Sequence, residues 1–178
     1  TENAKPETVW DKEAQHLHAA QVASECMVLL KNEEKVLPLN KNEKVAFIGE
    51  FAVKPRYQGG GSSHINSFKV TSAMDAVKEA GIEVTYAQGY DVAADNTTDA
   101  LIAEAVEAAK NADKVVVFAG LPDAYESEGY DRKHMSLPVS QNAVIDAVAA
   151  ANPNTIIVLY NGSPVEMPWV NHVKGILE

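Results

Sequence analysis

The sequence predicts an α/β fold: a three-layer α/β/α sandwich around a mostly parallel sheet. Three observations predict it. The short runs Lys44–Gly49, Lys114–Gly120 and Thr155–Tyr160 are almost continuously apolar rather than alternating, as strands covered on both faces are. Helical segments separate them, so the chain reads as strand, loop and helix in repetition. At 178 residues, with 46% hydrophobic and 22% charged side chains, it is long enough for one sizeable core.

The elements follow in order. Asp11 to Lys31 is expected to be a helix. Ala20, Ala23, Met27 and Leu30 lie at helical spacing, with Ala19, Val22, Cys26 and Leu29 beside them. Asn32 to Leu39 ends it in a turn at Pro38. The Lys44–Gly49 strand and a long loop, Glu50 to Val70, come next. Ser72 then starts a helix with Asp75 as capping-box partner, and Gly81 closes it. Ile82 to Ala87 is a strand. Asn96 is expected to cap the helix Thr97 to Asn111, in which Leu101, Ala105 and Ala108 share a face. After the Lys114–Gly120 strand, an acidic loop runs from Leu121 to Leu137. Helix Val139 to Ala151 stops at Asn152-Pro153, since a residue before proline is pushed out of the helical region. The Thr155–Tyr160 strand is turned by Asn161-Gly162-Ser163-Pro164, and Gly175–Glu178 begins a last strand. A strand just begun is expected to belong to a domain truncated at its C-terminus.

Composition removes several classes of function. The net charge of −10 and the scattered basic residues argue against nucleic acid or an anionic membrane as partner, because phosphate binding needs clustered Lys and Arg. No apolar run approaches the roughly 20 residues of a membrane span. The opening Thr1-Glu2-Asn3-Ala4-Lys5-Pro6 shows no signal-peptide core, and without an initiator Met the chain is expected to be mature, trimmed or part of something larger. The single Cys26 excludes an internal disulfide and any cysteine-based zinc site, and is expected to be a small core residue. His16, His18, His64, His134 and His172 show no helical metal-ligand spacing. No metal and no cofactor is expected.

Open α/β sheets bind ligands beyond the carboxyl ends of their strands. Three loops leave such ends: Glu50–Val70, Leu121–Leu137 and Asn161–Pro168. The first two are longer than ordinary connections, as functional loops tend to be. Gly59-Gly60-Gly61 lacks the spacing of a dinucleotide or phosphate loop. It reads either as a flexible turn or as bare backbone that admits a polar ligand, with Ser62, Ser63 and His64 as hydrogen-bonding groups. A Gly-x-Ser-x-Gly elbow is absent. In the acidic loop, Glu126, Glu128 and Asp131 stand beside Tyr125, Tyr130 and Arg132. One reading is a solvated acidic turn. The other is a carboxyl group shielded by aromatic rings and crowded by like charge, its pKa raised for work as a general acid. Glycoside cleavage takes two facing carboxyl groups, and this loop offers one side of such a pair.

Four segments together resemble glycoside hydrolase family 3, specifically the C-terminal α/β sandwich domain of its β-glucosidases and β-xylosidases. They are Ala20–Glu33 with Leu37-Pro38-Leu39; Val45–Gly49 with Gly59–Ser63; Glu126-Ser127-Glu128-Gly129-Tyr130-Asp131-Arg132 with Leu137-Pro138; and Ile156–Leu159 with Asn161–Val165. The resemblance implies a retaining enzyme of two domains, with the nucleophilic Asp and most sugar contacts on an N-terminal (β/α)8 barrel outside this sequence. It implies Glu128 as general acid/base, and Ser62 or Ser63 as the loop serine near the sugar. Glu126, Tyr130, Asp131 and Arg132 would be supporting residues. Residues 1–40 would then be a helix and linker from the barrel, and 41–178 the sandwich. The implied substrate is a terminal β-D-glucoside or oligosaccharide, and the piece alone would be inactive. The rival class is a non-catalytic α/β module that binds a small ligand or docks a partner.

Overall fold

The computed structural model describes residues 10–178. Helix α1 spans Lys12–Cys26. Its N-terminus is capped by Asp11, whose carboxylate accepts the Ala14 N–H at 3.0 Å. No residue of α1 is buried, so the expected apolar face covers nothing among the described residues, and Cys26 is exposed rather than core. The helix also ends five residues before Lys31. Leu29–Asn32 instead forms strand β1 and pairs antiparallel with the final strand. Val28 and Glu178 exchange N–H···O bonds of 2.7 and 2.9 Å. Ladder bonding at a sheet edge thus overrides the helical spacing of Met27 and Leu30. Part of the stretch read as linker, 1–40, is therefore a strand of the sandwich.

The other elements are β2 (Val45–Ile48), α2 (Ala73–Glu79), β3 (Val84–Ala87), α3 (Asp99–Lys110), β4 (Lys114–Gly120), α4 (Val139–Ala151), β5 (Thr155–Tyr160) and β6 (Gly175–Leu177). Their ends lie within one or two residues of the sequence expectation. The capping box at Ser72 and Asp75 is present. Helix α3 is capped by Thr98 rather than Asn96. The Thr98 hydroxyl accepts the Leu101 N–H, while Asn96 is occupied in a backbone bridge with Asp91.

The six strands lie in the order β1-β6-β5-β4-β2-β3, all parallel except β1. From β2 the chain steps outward to β3, then crosses back to β4 and continues to β5. Right-handed crossovers place α2 on one face and α3 with α4 on the other. The order reverses between β2 and β4. That is the topological switch point of a doubly wound sheet, and the loops leaving those two strands part there.

Under α3 and α4, Ala46, Ile48, Val115, Val117 and Ile157 are fully buried. Each buried Val or Ile contributes about 1.5–3 kcal/mol. On the α2 face Phe47 meets Phe118 edge-on at 4.9 Å. Buried polar groups are paired where the chain leaves regular structure. Asn152 Nδ2 donates to the Ala109 and Ala112 carbonyls at the end of α3, both at 2.9 Å. The Tyr90 hydroxyl donates to the Phe118 carbonyl at 2.6 Å, and burial pushes its pKa well up. Gln141 Oε1 accepts the Gly120 N–H at 2.8 Å, which holds the last residue of β4 where the acidic loop departs.

Candidate active site

The loops after β2 and β4 meet directly above the switch point. Gly60 and Ser127 form an isolated parallel bridge, and the Glu128 N–H reaches the Gly60 carbonyl at 3.3 Å. The Ser62 N–H donates to Glu128 Oε2 at 2.8 Å. This contact explains the run of glycines. Gly61 has φ +93°, and a Cβ there would lie 2.6 Å from the Glu128 Cβ. The bare backbone admits the acidic loop, and only a glycine permits both the left-handed turn and the approach.

Sequence reasoning brought Glu128 and Ser62 forward separately; the fold puts them in contact. Ser63 differs, since its hydroxyl donates to the Gly59 carbonyl at 3.0 Å within its own loop. Glu128 is solvent-exposed, and the nearby Ser62 side chain, followed by the hydrogen bond from the Ser62 N–H, holds its pKa below the usual 4.5. The shielding expected to raise it is absent here. The Tyr130 hydroxyl donates to the Asp123 carbonyl at 2.5 Å, and the Tyr125 hydroxyl to Asp95 at 2.8 Å. Both aromatic residues brace the loop instead. Tyr125 is pushed up to about 12 by burial and by the Asp95 carboxylate.

The crowding expected from neighbouring carboxylates is relieved too. Glu126 is paired with Arg56, Nη1 to Oε2 at 2.5 Å, and also accepts the Gly162 N–H at 3.0 Å and the Ser163 hydroxyl. Burial raises its pKa, but the Ser163, Arg56 and Gly162 hydrogen bonds outweigh that and hold it below 4.5. These bonds add stability above the unfolded carboxyl pKa and are lost as pH falls through the lower native value. Arg132 Nη2 donates to the Pro164 carbonyl at 2.7 Å, tying the far end of the acidic loop to the β5–β6 connection. Asp131 is exposed and makes no side-chain hydrogen bond among the described residues.

A cleft of about 510 Å³ opens beside these groups, lined by Arg56, Tyr57, Gln58, Gly60, Glu128 and Asn161 among others. Among the described residues no three His, Cys, Asp or Glu side chains gather as metal ligands. No described helix is long and apolar enough to cross a membrane.

The sequence profile of the glycosyl hydrolase family 3 C-terminal domain matches residues 27–178. The chain belongs to this family. It is 52% identical, over 99% of its own length and 24% of the relative's, to the "Thermostable beta-glucosidase B" of Acetivibrio thermocellus. It is 48% identical, over 95% of its length and 24% of the relative's, to an "Exo-alpha-(1->6)-L-arabinopyranosidase" of Bifidobacterium longum. The crystal structure of a Bifidobacterium adolescentis GH3 β-glucosidase superposes with a TM-score of 0.93 at 47% identity, covering 98% of this chain and 26% of that one. The chain thus spans about a quarter of the length of the curated relatives it matches.

For this family 3 C-terminal domain, Arg56, Ser163 and Asp95 had not been singled out from the sequence. Arg56 carried a faint signal: with Lys54 it is one of two cations just ahead of the glycine run at Gly59, in a chain whose other long loop is acidic. The hold of Ser62 on Glu128 has a direct consequence. Ser62→Ala removes a hydroxyl that favours the ionised carboxylate, so the Glu128 pKa should rise toward its ordinary value in a ¹³C NMR titration of the glutamate carboxyls. An unchanged titration would show that the serine hydroxyl is not its partner in solution.

Proposed function

We propose that this domain supplies Glu128 as the general acid/base, and part of the sugar site, of a retaining β-glucosidase-type glycoside hydrolase. The nucleophile comes from a (β/α)8 barrel in the same enzyme. The observation that supports the reading is the exposed carboxylate of Glu128, held by the Ser62 N–H on a cleft over the switch point, where the other acidic side chains, Glu126 and Glu178, are engaged by Arg56, Gly162 and Ser163 and by Asn161. The stretch before β1 carries the connection to the barrel, with α1, which has no buried residue, as the part available to it.

In the first step Glu128 gives its proton to the glycosidic oxygen while the barrel carboxylate attacks the anomeric carbon. In the second it takes a proton from the water that releases the sugar. Ser62 suits the second role, because it stabilises the charged form. Closing a barrel surface over the exposed carboxyl would desolvate it and raise its pKa, which suits the first. Sugar choice belongs mainly to the barrel. Relatives sharing about half the residues of this domain carry the names of a β-glucosidase and an arabinopyranosidase.

The test compares the 178-residue domain with the complete enzyme on an aryl β-glucoside. The domain alone is expected to show no turnover, and the complete enzyme to hydrolyse the substrate. Turnover by the domain at the rate of the complete enzyme would refute the division of carboxylates between two domains.

A further inference from the structure

Three loops leave the carboxyl ends of β2, β4 and β5, and one carboxylate ties them together. From the β2 loop, Arg56 reaches Glu126 Oε2 through Nη1 at 2.5 Å and the Glu126 carbonyl through Nη2 at 2.9 Å. Arg56 Nε also donates to Asp123 at 3.2 Å. From the β5 loop, the Gly162 N–H and the Ser163 hydroxyl complete the set on Glu126. The two charged side chains are only 12% and 20% exposed, although they stand in loops. The fork of Arg56 therefore fixes both the side chain and the main chain of Glu126, two residues before Glu128. Ser127 between them is bridged to Gly60.

We infer that Arg56 and Glu126 form a positioning pair that sets the Glu128 carboxyl against the glycosidic oxygen. The inference rests on the reading of Glu128 as the acid/base. Both carboxylate oxygens of Glu126 are engaged by protein donors, Oε2 by Arg56 and Gly162 and Oε1 by Ser163, so it is held in place by the protein rather than presented to substrate. Its contribution is to the geometry of its neighbour, where a displacement of about 1 Å can cost on the order of 10²-fold in rate. The guanidinium serves because it binds carboxylate and carbonyl at once, which an ammonium cannot do with the same orientation.

The experiment uses the complete enzyme. Glu126→Gln and Arg56→Lys are made alone and in the Glu128→Gln background, and kcat and KM are measured on an alkyl β-glucoside and on a dinitrophenyl β-glucoside. Glu126→Gln is expected to lower kcat/KM on the alkyl glucoside by about 10²-fold while changing kcat/KM on the activated substrate much less, because kcat/KM reports the step that expels the leaving group, whereas kcat on the activated substrate also reports the water step that needs Glu128. Arg56→Lys should follow the same pattern more mildly. Neither should cost anything further once Glu128 is Gln, because residues acting through one group are not additive. A loss that persists undiminished in the Glu128→Gln background, or that is equal on both substrates, overturns the pairing and leaves only a role in holding the fold. Should Glu126→Gln fail to fold, Arg56→Lys decides between the same outcomes. If Glu128→Gln itself does not discriminate between the two leaving groups, the acid/base reading falls and takes this inference with it; if it does discriminate and the coupling is missing, the inference falls alone.

Discussion

Replacing Glu128 by Gln in the complete enzyme should lower kcat/KM for alkyl glucosides and disaccharides by about 10²–10⁴-fold, the usual worth of general acid catalysis. A dinitrophenyl glucoside should lose far less in this step, because its leaving group departs without a proton. The asymmetry is the diagnostic. Gln keeps the size and the hydrogen bond from the Ser62 N–H, so the loops need not rearrange, and what disappears is the transferable proton. The same carboxylate also activates water in the second step, so the variant should accumulate glycosyl-enzyme on activated substrates, seen as a burst of phenolate followed by slow turnover. Azide should relieve that slow phase, provided the cleft beside Glu128 admits a small anion to the anomeric carbon. An equal loss on all substrates, with no burst, would show that Glu128 only shapes the loop, and the solvated-turn reading would then stand.

The fold was legible because its central strands are buried on both faces. Runs such as Val115-Val116-Val117-Phe118 have few other uses, and β4 and α4 fall where the pattern puts them. The pattern was misread at the edge. Met27 to Leu30 fits a helical stripe, yet the carbonyls and amides of β6 give Leu29–Asn32 a better partner, and that partner lies about 145 residues away, where no local periodicity registers it. The same distance governs the site. Glu128 stood out within one acidic loop, and Ser62 within one glycine-rich loop. Their contact, and the Arg56–Glu126 pair across 70 residues, depend on the strand order that brings β2 beside β4. The expectation of a raised carboxyl pKa failed for a related reason. Sequence proximity placed Tyr125 and Tyr130 around Glu128, but their hydroxyls are claimed by Asp95 and by the Asp123 carbonyl.

The geometry at the switch point also makes Gly49→Ala a strongly damaging small substitution. Gly49 ends β2 with φ +112°, and a Cβ on it would lie 2.3 Å from the Phe118 carbonyl oxygen and 3.1 Å from the Tyr90 ring. That carbonyl already accepts the buried Tyr90 hydroxyl at 2.6 Å. A methyl group there must push β2 from β4 or break this hydrogen bond. Backbone strain of about 1–3 kcal/mol and overpacking of about 1–3 kcal/mol together approach the stability of an ordinary domain, about 5–15 kcal/mol. Gly81→Ala is the control: its φ is +68°, but a Cβ there meets nothing within 4 Å, so only the cost of a left-handed alanine applies, about 1 kcal/mol. Thermal and urea unfolding of the two variants should therefore differ by several kcal/mol, and Gly49→Ala should lose activity with its fold, since the displaced strand carries the loop of Arg56 and Ser62. Equal melting temperatures for Gly49→Ala and Gly81→Ala would mean that β2 and β4 can part at little cost, and that the contact between Ser62 and Glu128 is not held by the sheet beneath it.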